Sequence, residues 1–275
     1  RGIPGTVVTE VDAIGKNLSV ISKTKRTDGS SITLSINSNF QEYIESRMLN
    51  LFTRVGATRG SVIALNPQTG SIKALVSLPA YNNNDFTNGI KIDQYEKLLN
   101  DPDRPLFNRA ISGEFPSGST FKPFIAYAAL TEGIIKEHSS FISTGGIRIN
   151  EWFFPDWKTG GHGVTDVRKA ISESVNTFFY ILGGGYDKVT GLGVKQISEY
   201  ARMFGFGEQT GINLPAESDG FLPSKEWKWE VKKERWYVGD TYHLAIGQGD
   251  FLTTPLQMAI ATSVIANGGF KVVPY

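Results

Sequence analysis

The chain has 275 residues, 40% of them apolar and 20% charged, which suits one large folded domain or two unequal ones. Its 28 Lys and Arg against 27 Asp and Glu leave a net charge of +1 without a block of one sign, so nothing points to nucleic acid or to an anionic membrane surface. The absence of cysteine excludes disulfides, thiolate metal sites and cysteine nucleophiles, and no apolar run reaches the ~18 residues of a spanning helix.

Residues 1–38 read as short strands and polar turns. Val7, Val8 and Val11 precede a turn at Asp12-Ala13-Ile14-Gly15, and Ile32, Leu34 and Ile36 alternate at period two. At Phe40 the period changes, with Phe40, Tyr43, Ile44, Met48 and Leu51 on one helical face. That change sets a boundary: residues 1–39 are too few for a core of their own and are expected to be the end of another domain, with the main domain at 40–275. Two apolar runs, 60–65 and 71–76, joined by Asn66-Pro67-Gln68-Thr69-Gly70, predict a hairpin. A loop-rich stretch follows to about Phe115. The nearly continuous apolar run 121–130 predicts a helix buried all round, with Pro123 in its first turn and Gly133 ending it.

Further on, Asp166 is placed to cap a helix running towards Ser174, and 176–182 continues as buried chain to Gly183-Gly184-Gly185. A short helix is expected at 197–204. The charge-dense stretch 225–235, with Trp227 and Trp229 in it and Trp236 just beyond, reads as an exposed lid or loop. Thr254 and Pro255 open a long helix that Asn267-Gly268-Gly269 closes. The whole predicts an α+β (mixed α/β) domain, an antiparallel sheet flanked by helices.

The chemistry-bearing candidates begin with Ser119-Thr120-Phe121-Lys122 at the start of the apolar helix. Positions i and i+3 share a helical face, so the hydroxyl and the amine can meet. A serine is a weak nucleophile without an adjacent base. Lysine serves as one when burial and nearby positive charge lower its pKa from ~10.4. The spacing alone carries little, because Ser22-Lys23-Thr24-Lys25 has it too, in an exposed polar strand or turn. Likewise Ser-x-Asn occurs both at Ser35-Ile36-Asn37 and at Ser174-Val175-Asn176. Only the second of each pair lies among apolar helices.

Ser-x-x-Lys followed by Ser-x-Asn opens the motif set of penicillin-binding proteins and serine β-lactamases. Asn108-Arg109-Ala110 ahead of Pro116-Ser117-Gly118-Ser119-Thr120-Phe121-Lys122-Pro123 resembles the penicillin-binding transpeptidases. So do Ile246-Gly247-Gln248-Gly249, followed by Thr253-Thr254-Pro255-Leu256-Gln257-Met258-Ala259, and the 65–70 hairpin turn. Asp156-Trp157-x-x-x-Gly161-His162-Gly163 and Asn176-Thr177-Phe178-Phe179-Tyr180 are similar to the class B, elongation-type members, the penicillin-binding protein 2 group.

That resemblance implies a penicillin-binding/serine β-lactamase-like fold. Residues before 40 would be the end of a non-catalytic pedestal, and the membrane anchor and the C-terminal strands of the sheet would lie outside this sequence. It implies a D,D-transpeptidase in which Ser119 is acylated by a D-Ala-D-Ala stem peptide or a β-lactam, and Lys122 takes the serine proton. Ser174 would relay a proton and Asn176 would hold Lys122 and the substrate amide, while Gln248 and Gly249 would border the substrate. The implied partners are a membrane glycan polymerase and elongation scaffold proteins, at the periplasmic face of the cytoplasmic membrane. No cofactor is implied. Some relatives hold zinc on the Asp and His at 156 and 162 with a cysteine at the position of Val175. That thiolate is missing here, and structural zinc wants four ligands, so a hydrogen-bonded loop is expected. Lys158-Thr159-Gly160 imitates the family's third motif, but it precedes Ser174 and lacks a strand pattern, so it is read as a decoy. The competing functions are a D,D-carboxypeptidase and a catalytically silent module regulating a glycan polymerase.

Overall fold

The computed structural model of the chain describes residues 2–87 and 89–275; Arg1 and Asn88 lie outside the described residues. It divides into two units, one ending at Ser35 and the other spanning Ile36–Tyr275.

In the first unit, β1 (Val7–Val11) pairs antiparallel with β2 (Asn17–Lys23). The Asp12 carboxylate closes their turn by accepting from the Ile14 and Lys16 N–H groups. A lone two-stranded ribbon has no second layer to cover its apolar side chains, and Val8, Leu18, Val20 and Ile21 are exposed. The strand expected around Ile32 and Leu34 does not form. Both are exposed, and alternation without a ladder partner is not enough to make a strand.

In the second unit the predicted helix is α1 (Ser38–Val55), opened by Asn37, whose side chain accepts from Phe40 N–H. It lies on the hairpin of β3 (Gly60–Leu65) and β4 (Ile72–Leu78). Ile44, Met48 and Phe52 meet Val62, Val76 and Leu78 there. Spacing of four carries this stripe along one line of the helix, which leaves Phe40, Tyr43 and Leu51 exposed rather than inward as the sequence predicts. Ile63 and Leu65, on the alternate face of β3, pack with Leu256 and Ile260 near the chain's end.

The stretch read as loop-rich contains α2 (Ile92–Asn100). The apolar run forms a 3₁₀ turn at Gly118–Phe121 that leads into α3 (Lys122–Thr131), with Pro in its first turn. Phe121 and Phe124 lock into Phe204, Phe206 and Phe251, with ring centroids 4.6 to 5.4 Å apart for Phe121–Phe251, Phe124–Phe204 and Phe121–Phe206. The helix is not buried all round. Tyr127 and Leu130 emerge, since the core covers it from one broad side.

Between α3 and Ser174, four short strands that the period analysis misses form two ribbons. β5 (Ser140–Ser143) pairs with β8 (Gly163–Asp166), and β6 (Gly146–Ile149) pairs with β7 (Trp152–Pro155). Asp166 caps α4 (Val167–Ser172) through Lys169 N–H, as predicted. Then follow α5 (Asn176–Gly184) and α6 (Gly193–Met203), the latter starting four residues before the predicted 197. The charged stretch is more than an exposed loop: α7 (Lys225–Trp227) and a π-type turn, Lys228–Lys232, bury Lys228 against Asp240 at 2.7 Å. A paired charge can be taken out of water where an unpaired one cannot. Finally α8 (Val238–Ala245) is followed by α9 (Pro255–Ala266), opened by a reciprocal capping box of Thr254 and Gln257.

The α5–α8 crossing is set by Gly183, where a Cβ would stand 2.4 Å from the Ala245 Cβ. Gly183→Ala is therefore overpacked and should lower stability by about 1–3 kcal/mol, read as a lower urea midpoint. An unchanged midpoint would show that the two helices separate freely.

Candidate active site

Position by position, Ser119 sits in the 3₁₀ turn at the mouth of α3 and is exposed, while Lys122 is 1% exposed and points inward. The turn is pinned from outside: Gly118 N–H donates to the Gly247 carbonyl at 2.8 Å. The approach is so close that a Cβ on Gly247 would lie 2.2 Å from the Gly118 oxygen. This is why the segment after α8 carries glycine there. Through this contact the predicted Gln248 and Gly249 are held near the turn that carries Ser119. Gln248 is exposed, its backbone N–H bonded to His243 O.

Lys122, Ser174 and Asn176 are brought together. The Lys122 Nζ donates to the Ser174 carbonyl (2.8 Å), the Ser174 Oγ (3.0 Å) and the Asn176 Oδ1 (2.6 Å). Three acceptors match the three donors of an ammonium. Burial nevertheless brings the Lys122 pKa down to about 8, with the Asp156 carboxylate pulling the other way. The expected help from a neighbouring positive charge is absent; desolvation does the lowering. Among the described residues, the Ser119 hydroxyl makes no hydrogen bond to Lys122, although the two share a face one turn apart.

The local chain path of Ser174 follows from helix-end chemistry. Val175 N–H bonds to Ala170 O and Ser174 N–H to Ile171 O, the two bonds of a Schellman ending of α4. The residue between must be left-handed, and Ser174 has φ 55° in a position that usually takes glycine. The next helix starts at once, but its N-cap, Val175, has no polar side chain to offer. Asp156 supplies the cap from a distant loop, accepting from Asn176 N–H (3.0 Å), Thr177 N–H (3.1 Å) and Trp157 N–H (3.0 Å). Burial alone would raise its pKa; bonds from the Thr177 backbone and side chain, and from Asn176 and Trp157, outweigh that and hold it below the usual carboxylate range. Sequence reasoning placed Asp156 in a loop and missed Glu173. For the capping role of Asp156 the available signal was a helix whose N-cap, Val175, has no acceptor of its own.

The residues do not fit a zinc ion. Val175 offers no donor, His162 Nε2 stands 3.6 Å from Asp156 Oδ1, and among the described residues no three His, Cys, Asp or Glu side chains converge to hold a metal. Lys158-Thr159-Gly160 forms an exposed turn, not a strand. In the other imitation motifs, Ser22 and Lys25 are exposed and Asn37 caps α1.

The description "Penicillin binding protein transpeptidase domain" matches residues 60–275. The chain belongs to the penicillin-binding protein transpeptidases. It is 39% identical over its whole length to the peptidoglycan D,D-transpeptidase MrdA of Acinetobacter baumannii, of which it covers 39%. Among solved structures, Pseudomonas aeruginosa PBP2 in complex with WCK 5153 has a TM-score of 0.80 at 35% identity, covering 90% of this chain and 54% of that one. Helicobacter pylori PBP2 in complex with MreC has a TM-score of 0.81 at 33% identity, covering 99% and 48%. The mixed α/β fold is thus that of the transpeptidase domains, and the chain spans about two-fifths of the curated relative's length.

Because burial lowers the folded-state pKa of Lys122 to about 8, against ~10.4 for an unfolded lysine, the unfolded chain binds more protons between those values. Stability from this group therefore rises with pH across that window. Lys122→Met removes the linkage. The stability difference, variant minus wild type, should be largest below pH 8 and shrink by roughly 3 kcal/mol towards pH 10. A difference that stays flat would mean the folded chain solvates the ammonium.

Proposed function

We propose that this chain carries the acyl-transfer machinery of a serine D,D-transpeptidase that cross-links peptidoglycan stem peptides during cell elongation. The observation that carries this reading is the Lys122 amine, buried, lowered to about 8 and bonded to Ser174 and Asn176, one helical turn from Ser119.

At pH 7 an amine with that pKa is neutral in about a tenth of molecules, enough to act as a base. Lys122 then takes the proton as Ser119 Oγ attacks the penultimate D-alanine carbonyl. The helix start at Gly118–Phe121 presents the Ser119 N–H to the oxyanion. Collapse breaks the peptide bond, and Ser174, hydrogen-bonded to Lys122, passes the proton to the departing D-alanine amine. An amine of a neighbouring stem peptide attacks the acyl-serine, releasing Ser119 and completing the cross-link. Asn176 keeps Lys122 oriented and offers its amide N–H₂ to the substrate, and Gln248 and Gly249 border the acyl chain. β-Lactams acylate Ser119 by the same attack and stop there.

On this reading residues 1–39 are the end of a pedestal domain, residues 40–275 belong to the transpeptidase domain, and the protein works at the outer face of the cytoplasmic membrane. No described helix is long and apolar enough to cross a membrane. The H. pylori relative solved with MreC supports a scaffold partner, and a glycan polymerase fits as the source of the strands to be linked.

Labelling of the full-length protein with a fluorescent penicillin tests the assignment. Ser119→Ala should abolish the covalent label and Ser22→Ala should leave it intact. The acylation rate should climb with pH to a plateau, with its midpoint near 8. An adduct on a peptide lacking Ser119 would overturn the proposal.

A further inference from the structure

Beyond the two Schellman bonds that end α4, two features of the Ser174–Asn176 segment depend on outside support. Ser174 is left-handed without being glycine, a conformation that persists only where the surroundings over-determine it. Helix α5 starts on a residue that cannot cap it. The support comes from the loop at residues 156–163, which grips the segment at three places. Asp156 accepts from the Asn176 and Thr177 N–H groups. The Trp157 indole N–H donates to the Glu173 carbonyl at 3.0 Å. His162 Nδ1 meets Glu173 Oε2 at 2.7 Å.

The loop is itself tied down. His162 N–H bonds to Ser143 O at 3.1 Å, Ser143 Oγ to Asp156 Oδ2 at 3.2 Å, and Lys169 Nζ to His162 O at 2.6 Å. The His162 and Asp156 side chains are 1% and 0% exposed, and the imidazole fills the space between the two carboxylates, Nε2 facing Asp156 Oδ1 at 3.6 Å. That Nε2 has no hydrogen-bond partner among the described residues. The ring's directed bond is therefore the one to Glu173, and towards Asp156 it acts as a spacer.

We propose that His162 and Glu173 are positioning residues for acyl transfer: the imidazole is a metal-free strut that fixes the distance between Asp156 and Glu173, and thereby the place of Ser174 and Asn176. The proposal rests on the reading of Ser119 as the acylated nucleophile. Its physical content is that Asp156 and Glu173 flank the motif on both sides. Asp156 sets where Asn176 begins its helix, and Glu173 sets where Ser174 leaves the previous one. All three acceptors of Lys122 Nζ come from those two residues, so a shift of either end displaces the base. Misplacement by about 1 Å is enough to cost on the order of 10²-fold in rate. Glu173 makes no contact with substrate in this scheme; it acts through Ser174.

The experiment is pre-steady-state acylation of the full-length protein by a fluorescent penicillin, separating the non-covalent binding constant from the acylation rate constant. Glu173 is 42% exposed at its side chain, so Glu173→Ala is a variant that should fold. It should lose about 10- to 100-fold in the acylation rate constant, with the binding constant and melting temperature within about twofold and a few degrees of wild type. Glu173→Gln, whose amide oxygen can still accept from Nδ1–H, should recover to within about threefold. Trp157→Phe keeps the ring and removes only the indole donor, and should lose several-fold. A labelled wild type whose acylation rate constant is unmoved by Glu173→Ala overturns this inference and leaves the nucleophile assignment standing. A fall of binding, rate and melting temperature together makes the strut a folding contact and also overturns it. A wild type that takes no label at Ser119 removes the acyl-transfer reading and this inference with it.

Discussion

An amine buried to 1% exposure must either find acceptors or give up its proton, and Lys122 is arranged to do both. Three oxygens within 3.0 Å and the face of the Phe179 ring, 5.4 Å from Nζ, stabilise the ammonium, while burial away from water works against it. The balance comes to rest near pH 8. Had burial won outright, the amine would be permanently neutral; had the oxygens won, it would stay charged well above neutral pH. The second unit is organised around this balance. Helix α3 brings the lysine into the core, where it is 1% exposed, and the α4–α5 junction delivers the oxygens.

That junction is where local stability gives way to placement. A glycine at 174 would suit the end of α4 better, and a serine, threonine or aspartate at 175 would cap α5 better. The chain instead has Ser174 for its hydroxyl and Val175 for the core, in which it is fully buried. Asp156 compensates at a distance, its charge held at the positive end of α5 by N–H donors. The same carboxylate raises the Lys122 pKa against the drop from burial, so one side chain both caps the helix and tempers the shift of the buried amine.

How much of this was legible in the sequence depended on whether the signal was local. The caps of α4 and α9 were, because Asp166 and Thr254 bond within a turn of themselves; Asn37, noticed only in an imitation motif, proved to cap α1. The hairpin was, because its turn residues demand their own geometry. Helix α3 was located by the apolar run 121–130, with Lys122 in its first turn. What could not be read were features settled by distant partners. The inward face of α1 depends on where Val62 and Val76 lie, so Tyr43 and Leu51 were misplaced. Ribbons β5–β8 and β6–β7 are four residues long and too short for a period to show. Lys228 looked like surface charge until Asp240 came to it from a separate helix. Glu173 carried no motif at all, and its relation to His162 exists only because two loops converge.

The family and the fold stand on similarity, whereas the chemistry stands on the state of one nitrogen. Titration of the Lys122 Nζ itself, followed by heteronuclear NMR on protein with labelled lysine and assigned against Lys122→Met, observes that state without passing through activity or stability. A midpoint near 8 is expected from the burial described above. A midpoint near the ~10.4 of a free lysine would mean that the ammonium is solvated and permanently charged at neutral pH, and Lys122 would then not be the base.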